Sequence, residues 1–188
     1  MLKKIMFVLF CAVFLSGCYF TIEPIYTEKD KISDDGIVGK WGQVDKKGSW
    51  QFSKDEKGNT YTLVLGEGIN NTSIFTVTLV KIGKYKYLDM LADNKRVENQ
   101  NSDFKALLLG CHSFFRYSIE NNKIVVTQYD LAWLEKRLKT KKLNLHYFDR
   151  REGFYFSDST EDLQKAIIAI EDKEEAFLKD KVSLERVK

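Results

Sequence analysis

With 30 basic and 27 acidic side chains in 188 residues, the chain has a formal net charge of +3, too even a balance for the basic stripe that nucleic acid demands. Its 13 Phe and 9 Tyr supply the apolar surface for one domain with its own core, and no internal repeat or low-complexity tract interrupts it. The two His are far apart, and neither a C-x-x-C nor an H-x-x-x-H spacing occurs, so no zinc or other metal site and no cofactor is expected.

The first residues read as a targeting segment. Lys3 and Lys4 form a charged head, and the apolar run 5–15 is too short for the roughly 20 residues that span a bilayer. Small residues follow at Ser16 and Gly17, as a cleavable signal peptide requires. The stretch Leu15-Ser16-Gly17-Cys18 resembles the lipobox of bacterial lipoproteins. That resemblance implies cleavage before Cys18, a diacylglycerol on its sulfur and an acyl chain on its amine. Such lipidation converts a secreted protein into an anchored one, and two or more chains make the attachment durable. Tyr19 rather than Asp follows the cysteine, and the family's sorting rule then implies the outer membrane if the host has one. Loss of Lys3 and Lys4 with the leader brings the net charge to about +1. Cys11 leaves too and Cys18 carries lipid, so Cys111 has no disulfide partner and the fold must rest on its core.

Beyond the leader, residues 18–36 hold the only Pro, several charges and no apolar period, which predicts a solvated tether. From 37 to 178 a single β-rich domain is expected, with about nine short strands divided by turns. The first strand candidate is 39–44. Trp50 and Phe52 share one face of the next, Tyr61, Leu63 and Leu65 of the third, and Phe75, Val77 and Leu79 of the fourth. Tyr85, Tyr87 and Asp89 continue the series, a polar stretch follows over 93–103, and a long candidate covers 106–119. Asn121-Asn122 predicts a tight hairpin into 124–129. Asp130 is placed to cap a short helix near 130–139 through Leu131, Leu134 and Leu138, and two short strands follow over 143–148 and 154–156. Ser159 caps a last helix near 160–178 whose stripe is Leu163, Ala166, Ile167 and Ile170, and residues 179–188 read as a charged, frayed tail. Many short strands without βαβ alternation predict an antiparallel sheet closing into a small barrel, a half-barrel or a sandwich, with a helix packed on it.

Gly39-Lys40-Trp41, opening the first strand, resembles the G-x-W signature of lipocalin-like calycin barrels. The resemblance implies that Trp41 closes one barrel end against a basic residue from a late strand, for which Arg116, Arg150 and Arg151 are the candidates. Gly39-x-Trp41, Tyr87-Leu88-Asp89-Met90 and 157–164 also resemble a group of bacterial lipoproteins without an assigned activity. Trp41, Trp50, Phe52 and Phe75 are accordingly the expected lining of a ligand pocket or the barrel closure.

Cys111-His112 sets a thiol next to a histidine base, but neighbours on a strand face apart, and His146 would have to approach from another strand. No catalytic residue is therefore assigned. The expectation is a non-catalytic, lipid-anchored protein of the cell envelope that binds an apolar small ligand or an envelope protein, and not nucleic acid. A hydrolase with an unrecognised site is the alternative.

Overall fold

The computed structural model describes residues 18–43, 48–56, 60–66, 72–92, 110–150 and 153–187. Leu15, Ser16 and Gly17, Arg151, the polar stretch 93–103 and most of the first half of the 106–119 candidate lie outside them. The strands are β1 (Cys18–Thr21), β2 (Gly39–Gly42), β3 (Ser49–Lys54), β4 (Tyr61–Gly66), β5 (Thr72–Ile82), β6 (Tyr85–Ala92), β7 (His112–Glu120), β8 (Lys123–Thr127), β9 (Tyr147–Arg150), β10 (Gly153–Phe156) and β11 (Val182–Arg186). Two α-helices lie among the described residues, α1 (Leu131–Lys139) and α2 (Thr160–Ile170).

Eight strands close into an antiparallel barrel in the order β2-β3-β4-β5-β6-β7-β8-β11, with β11 returning beside β2. Closure removes every free edge from these strands. The hairpins are set by local chemistry. Asn121 and Asn122 take φ of 51° and 59°, the left-handed pair that a two-residue type I′ turn needs between β7 and β8. Gly83 (φ 56°) turns β5 into β6, and a Cβ there would stand 2.1 Å from the Glu171 carboxylate.

Strand alternation sends one set of side chains inward. Trp41, Phe52, Leu63, Val77, Leu79, Leu88, Ile124 and Leu184 form the barrel interior and are at most 1 % exposed. The outward set on β5, β6 and β7 is also buried, because α1, α2 and the N-terminal segment cover it. Val80, Ile82, Tyr87 and Phe114 meet Leu134, Leu138, Leu163, Ile167 and Ile170 in this second core. Buried on both faces, β5 and β6 lose the simple in–out pattern and read as continuous apolar runs.

Both helices start where their caps predict. The Asp130 carboxylate accepts from the Trp133 N–H at 3.1 Å and the Ser159 hydroxyl from the Asp162 N–H at 3.3 Å. However, α2 ends at Ile170, not near 178. The Arg116 guanidinium donates to the Glu171 carbonyl at 3.2 Å and lies between the Tyr85 and Phe177 rings, and a 3-10 turn at Glu174–Ala176 then brings Phe177 onto Tyr129. Phe177, which the expected helix would have carried in its last turn, belongs to the outer core.

Two further expectations are corrected. Residues 18–36 are not a solvated tether: β1 runs parallel to β10 and meets β7 at Thr21–His112, while Ile25 is fully buried. The segment then crosses the barrel wall, where the Ile32 N–H reaches the Leu79 carbonyl at 2.8 Å. The charged run Glu28-Lys29-Asp30-Lys31 masks this in sequence, since the buried apolar residues Ile25 and Ile37 stand singly on either side of it. Nor is 179–188 a frayed tail. Val182-x-Leu184 alternates inward, and β11 pairs with both β8 and β2 to complete the barrel.

Candidate functional site

One end of the barrel is sealed. Trp41 is fully buried there and its indole N–H donates to the Ile37 carbonyl at 2.7 Å. The Arg186 guanidinium stacks on the Trp41 ring at 4.3 Å and donates to the Val38 and Gly36 carbonyls at 3.0 and 3.1 Å. A planar, five-donor group satisfies two carbonyls and a ring face at once, which a lysine does not. Gly39 (φ 130°) makes the space: a Cβ there would lie 2.5 Å from Arg186 Nη1. Closure against a basic residue of a late strand is thus present, but the residue is Arg186. Arg116 lies outside the barrel and Arg150 is on β9. The chain leading into β2 completes the seal. Ile37 is fully buried under it, the Tyr61 hydroxyl accepts from the Asp34 N–H at 3.0 Å, and Lys86 and Lys54 pair with Asp34 and Asp35 at 2.8 and 2.7 Å.

The four expected lining residues divide by height in the barrel. Trp41 belongs to the seal and Phe52 to the packed middle. Trp50, its ring centroid 6.2 Å from Phe52, stands a step further from the seal. Phe75 lies further again, in register with Leu63 and Ala92, and is only half-buried, as are Leu65 and Val182 at the same level. At the sealed end Ile37 and Trp41 are fully buried with Val38 and Ile119 half-buried at the rim, and at the opposite end Leu65, Phe75 and Val182 are half-buried. A polar group sits inside as well. The Tyr117 hydroxyl is buried without a hydrogen-bond partner among the described residues, and burial pushes its pKa well up.

Asp89 was visible in sequence only as a carboxylate at a strand end. In the structure it is 2 % exposed on the outer face of β6, accepting from the Ile25 N–H at 3.1 Å and lying 2.5 Å from His112 Nδ1. A carboxylate on Nδ1 fixes the ring and its tautomer, which is how a histidine base is oriented. Cys111 stands beside it, yet burial raises its thiol pKa and so disfavours the thiolate that a nucleophile needs. His146 does not approach Cys111; its Nδ1 is 2.9 Å from the buried Asp158, which also accepts the His146 N–H at 2.8 Å. Among the described residues no group of three or more His, Cys, Asp or Glu could hold a metal. The outer core has a void of about 30 Å³ lined by Tyr19, Phe114, Leu134, Leu163 and Ile167, far below the several hundred Å³ of a small-molecule site.

Cys18 begins β1, in register with Gly153 of β10. No helix among the described residues is long and apolar enough to cross a membrane. No protein-family model, curated protein or solved structure matches the chain.

Proposed function

We propose that the protein is a non-catalytic lipoprotein of the cell envelope, tethered through lipid on Cys18, which holds an apolar small ligand in the barrel end opposite Trp41 and Arg186. In a host with an outer membrane, that membrane is its address. The observation that carries the ligand reading is the one-sided seal that Trp41 and Arg186 make. Leu65, Phe75 and Val182 at the other end keep accessible surface, and at the rim of the seal Val38 and Ile119 are half-buried beside the fully buried Ile37 and Trp41. A container closed at one end with an aromatic wall below its mouth fits a ligand that is mostly hydrocarbon.

The test uses Trp50 as reporter. With Trp133→Phe removing the indole on α1, addition of a dansylated undecanoic acid to the protein should quench tryptophan emission and give energy transfer, and Trp50→Ala should lower the affinity at least tenfold. Saturable transfer that unlabelled fatty acid displaces supports the pocket. Absence of transfer in a cooperatively folded sample overturns it, and reproducible crosslinking of one envelope protein in intact cells would then favour a protein partner. For the anchor, Cys18→Ser should abolish labelling by a palmitate analogue and leave the precursor uncut.

The second reading, a hydrolase, draws on the Asp89–His112 pair. Under the binding reading His112→Ala leaves ligand affinity unchanged and loosens only the segment around Ile25.

A further inference from the structure

Strands β1, β10 and β9 form a small ribbon beside the barrel, and both of its faces are aromatic. One face is accounted for: Tyr19, Phe154 and Phe156 are buried in the outer core, and Tyr147 packs on Phe154 with centroids 5.3 Å apart. The other carries a row of three rings. Phe20 is in register with Tyr155 and Tyr155 with Phe148, and the Phe20 and Tyr155 rings stack at 4.8 Å. Phe148 is 53 % exposed, the most accessible large apolar side chain among the described residues.

A contiguous outward aromatic row on a soluble face costs solubility and marks an interaction surface. Its position says what it meets. Two residues back along β1 from Phe20 is Cys18, in register with Gly153 and, through Gly153, with the exposed Arg150. At about 3.3 Å per residue along a strand and 4.8 Å between strands, residue 18 is within roughly 12 Å of the whole row. A lipid at that position has no slack, because the strand starts at the anchor residue itself. Phenyl and phenol rings with a flanking guanidinium are the side chains that settle at the headgroup level of a bilayer.

We infer that Phe20, Tyr155 and Phe148 form a membrane seat: once Cys18 is lipidated, this row beds into the boundary between headgroups and acyl chains, with Arg150 at the lipid phosphates. The inference rests on the anchor reading above. It makes the anchor a two-part device, in which the lipid sets the attachment and the row sets the orientation of the barrel.

The test uses the full chain, purified with its native modification and placed in vesicles of phosphatidylethanolamine and phosphatidylglycerol. In a Cys111→Ser background, Phe148→Cys carries a nitroxide, and Ile168→Cys on the exposed side of α2 serves as the aqueous reference. Oxygen should relax the label at 148 several-fold more effectively than a water-soluble nickel chelate does, with the order reversed at 168. The mass of the same sample reports the lipid on Cys18. Lipidated protein whose label at 148 is as wet as that at 168 overturns the seat and leaves the anchor standing. Unlipidated Cys18 overturns both.

Discussion

The Trp41–Arg186 contact shows how much can hang on one side chain. Arg186 covers the face of the Trp41 ring and satisfies two carbonyls of the chain that seals the barrel. Arg186→Ala should destabilise the fold by about 2 kcal/mol, and Arg186→Lys should recover less than half of that, because an ammonium neither stacks flat nor forks. Denaturant midpoints with unchanged slopes would report it; full rescue by lysine would show that charge alone matters. Gly39→Ala should cost about 1–3 kcal/mol from its positive φ and the clash with the guanidinium. Tyr117→Phe carries the opposite sign: deleting a buried hydroxyl without a partner should leave stability unchanged or raise it by up to about 1 kcal/mol in thermal unfolding. Gly39-x-Trp41 was legible in sequence because a short motif marks a strand start. Arg186 was not, because an arginine among Lys, Glu and Asp looks like surface until the two apolar residues before it at Val182 and Leu184 are seen to alternate.

Among elements, the segment 18–36 is the least expected, since strand pairing at Cys18–Thr21, the buried Ile25 and a few polar clasps hold it against the barrel. Asp89→Ala removes the acceptor of the Ile25 N–H and the partner of His112, so hydrogen exchange at Ile25 and nearby amides should quicken at least tenfold, with barrel amides unaffected. Asp30 supplies a pH-sensitive clasp. Burial works to raise its pKa, but donation from the Thr27 N–H and hydroxyl and from Gln164 outweighs it, so the pKa falls below the usual 3.8. A depressed folded-state pKa means that this stabilisation is present above 3.8 and is lost as the pH falls through the lowered value. Asp30→Asn should therefore flatten the acid limb of the stability curve below pH 3.8 and leave its slope above pH 5 unchanged. Elements with a regular period were read correctly: the strands of the 49–92 region, the Asn121-Asn122 hairpin and both helix starts follow from alternation and caps. The segment 18–36 was missed because it is held by pairings with residues far away in the chain, and these leave no local period.

At the scale of the whole molecule, eight strands enclose one core and carry a second on the outside. The barrel was legible as a class, since the strand candidates from 39 to 129 are short and turn-separated and show no βαβ alternation. The strand that closes it was not, because β11 lies in the most charged part of the chain. Ending the chain after residue 180 tests this: loss of β11 would leave β8 and β2 each without a neighbour, and cooperative unfolding and the near-ultraviolet circular dichroism of Trp41 should disappear. A chain that kept both would show that the ring does not need its last strand.

The place where that ring joins has a consequence in time. Arg186 and Val38, in contact across the seam, are 148 residues apart in sequence. A chain growing from the ribosome can form the β3–β6 meander early, from local hairpins, but the loop joining its first and last strands closes only after residue 186 has emerged. Such long-range closure is entropically slow, so refolding should be limited by this step and not by the hairpins. Substitutions at Arg186 should then slow folding as well as speed unfolding, the signature of a contact already forming in the transition state. Until the seam closes, the partly built sheet has two unpaired edges, and a chaperone that holds unfolded chains has that interval in which to engage it.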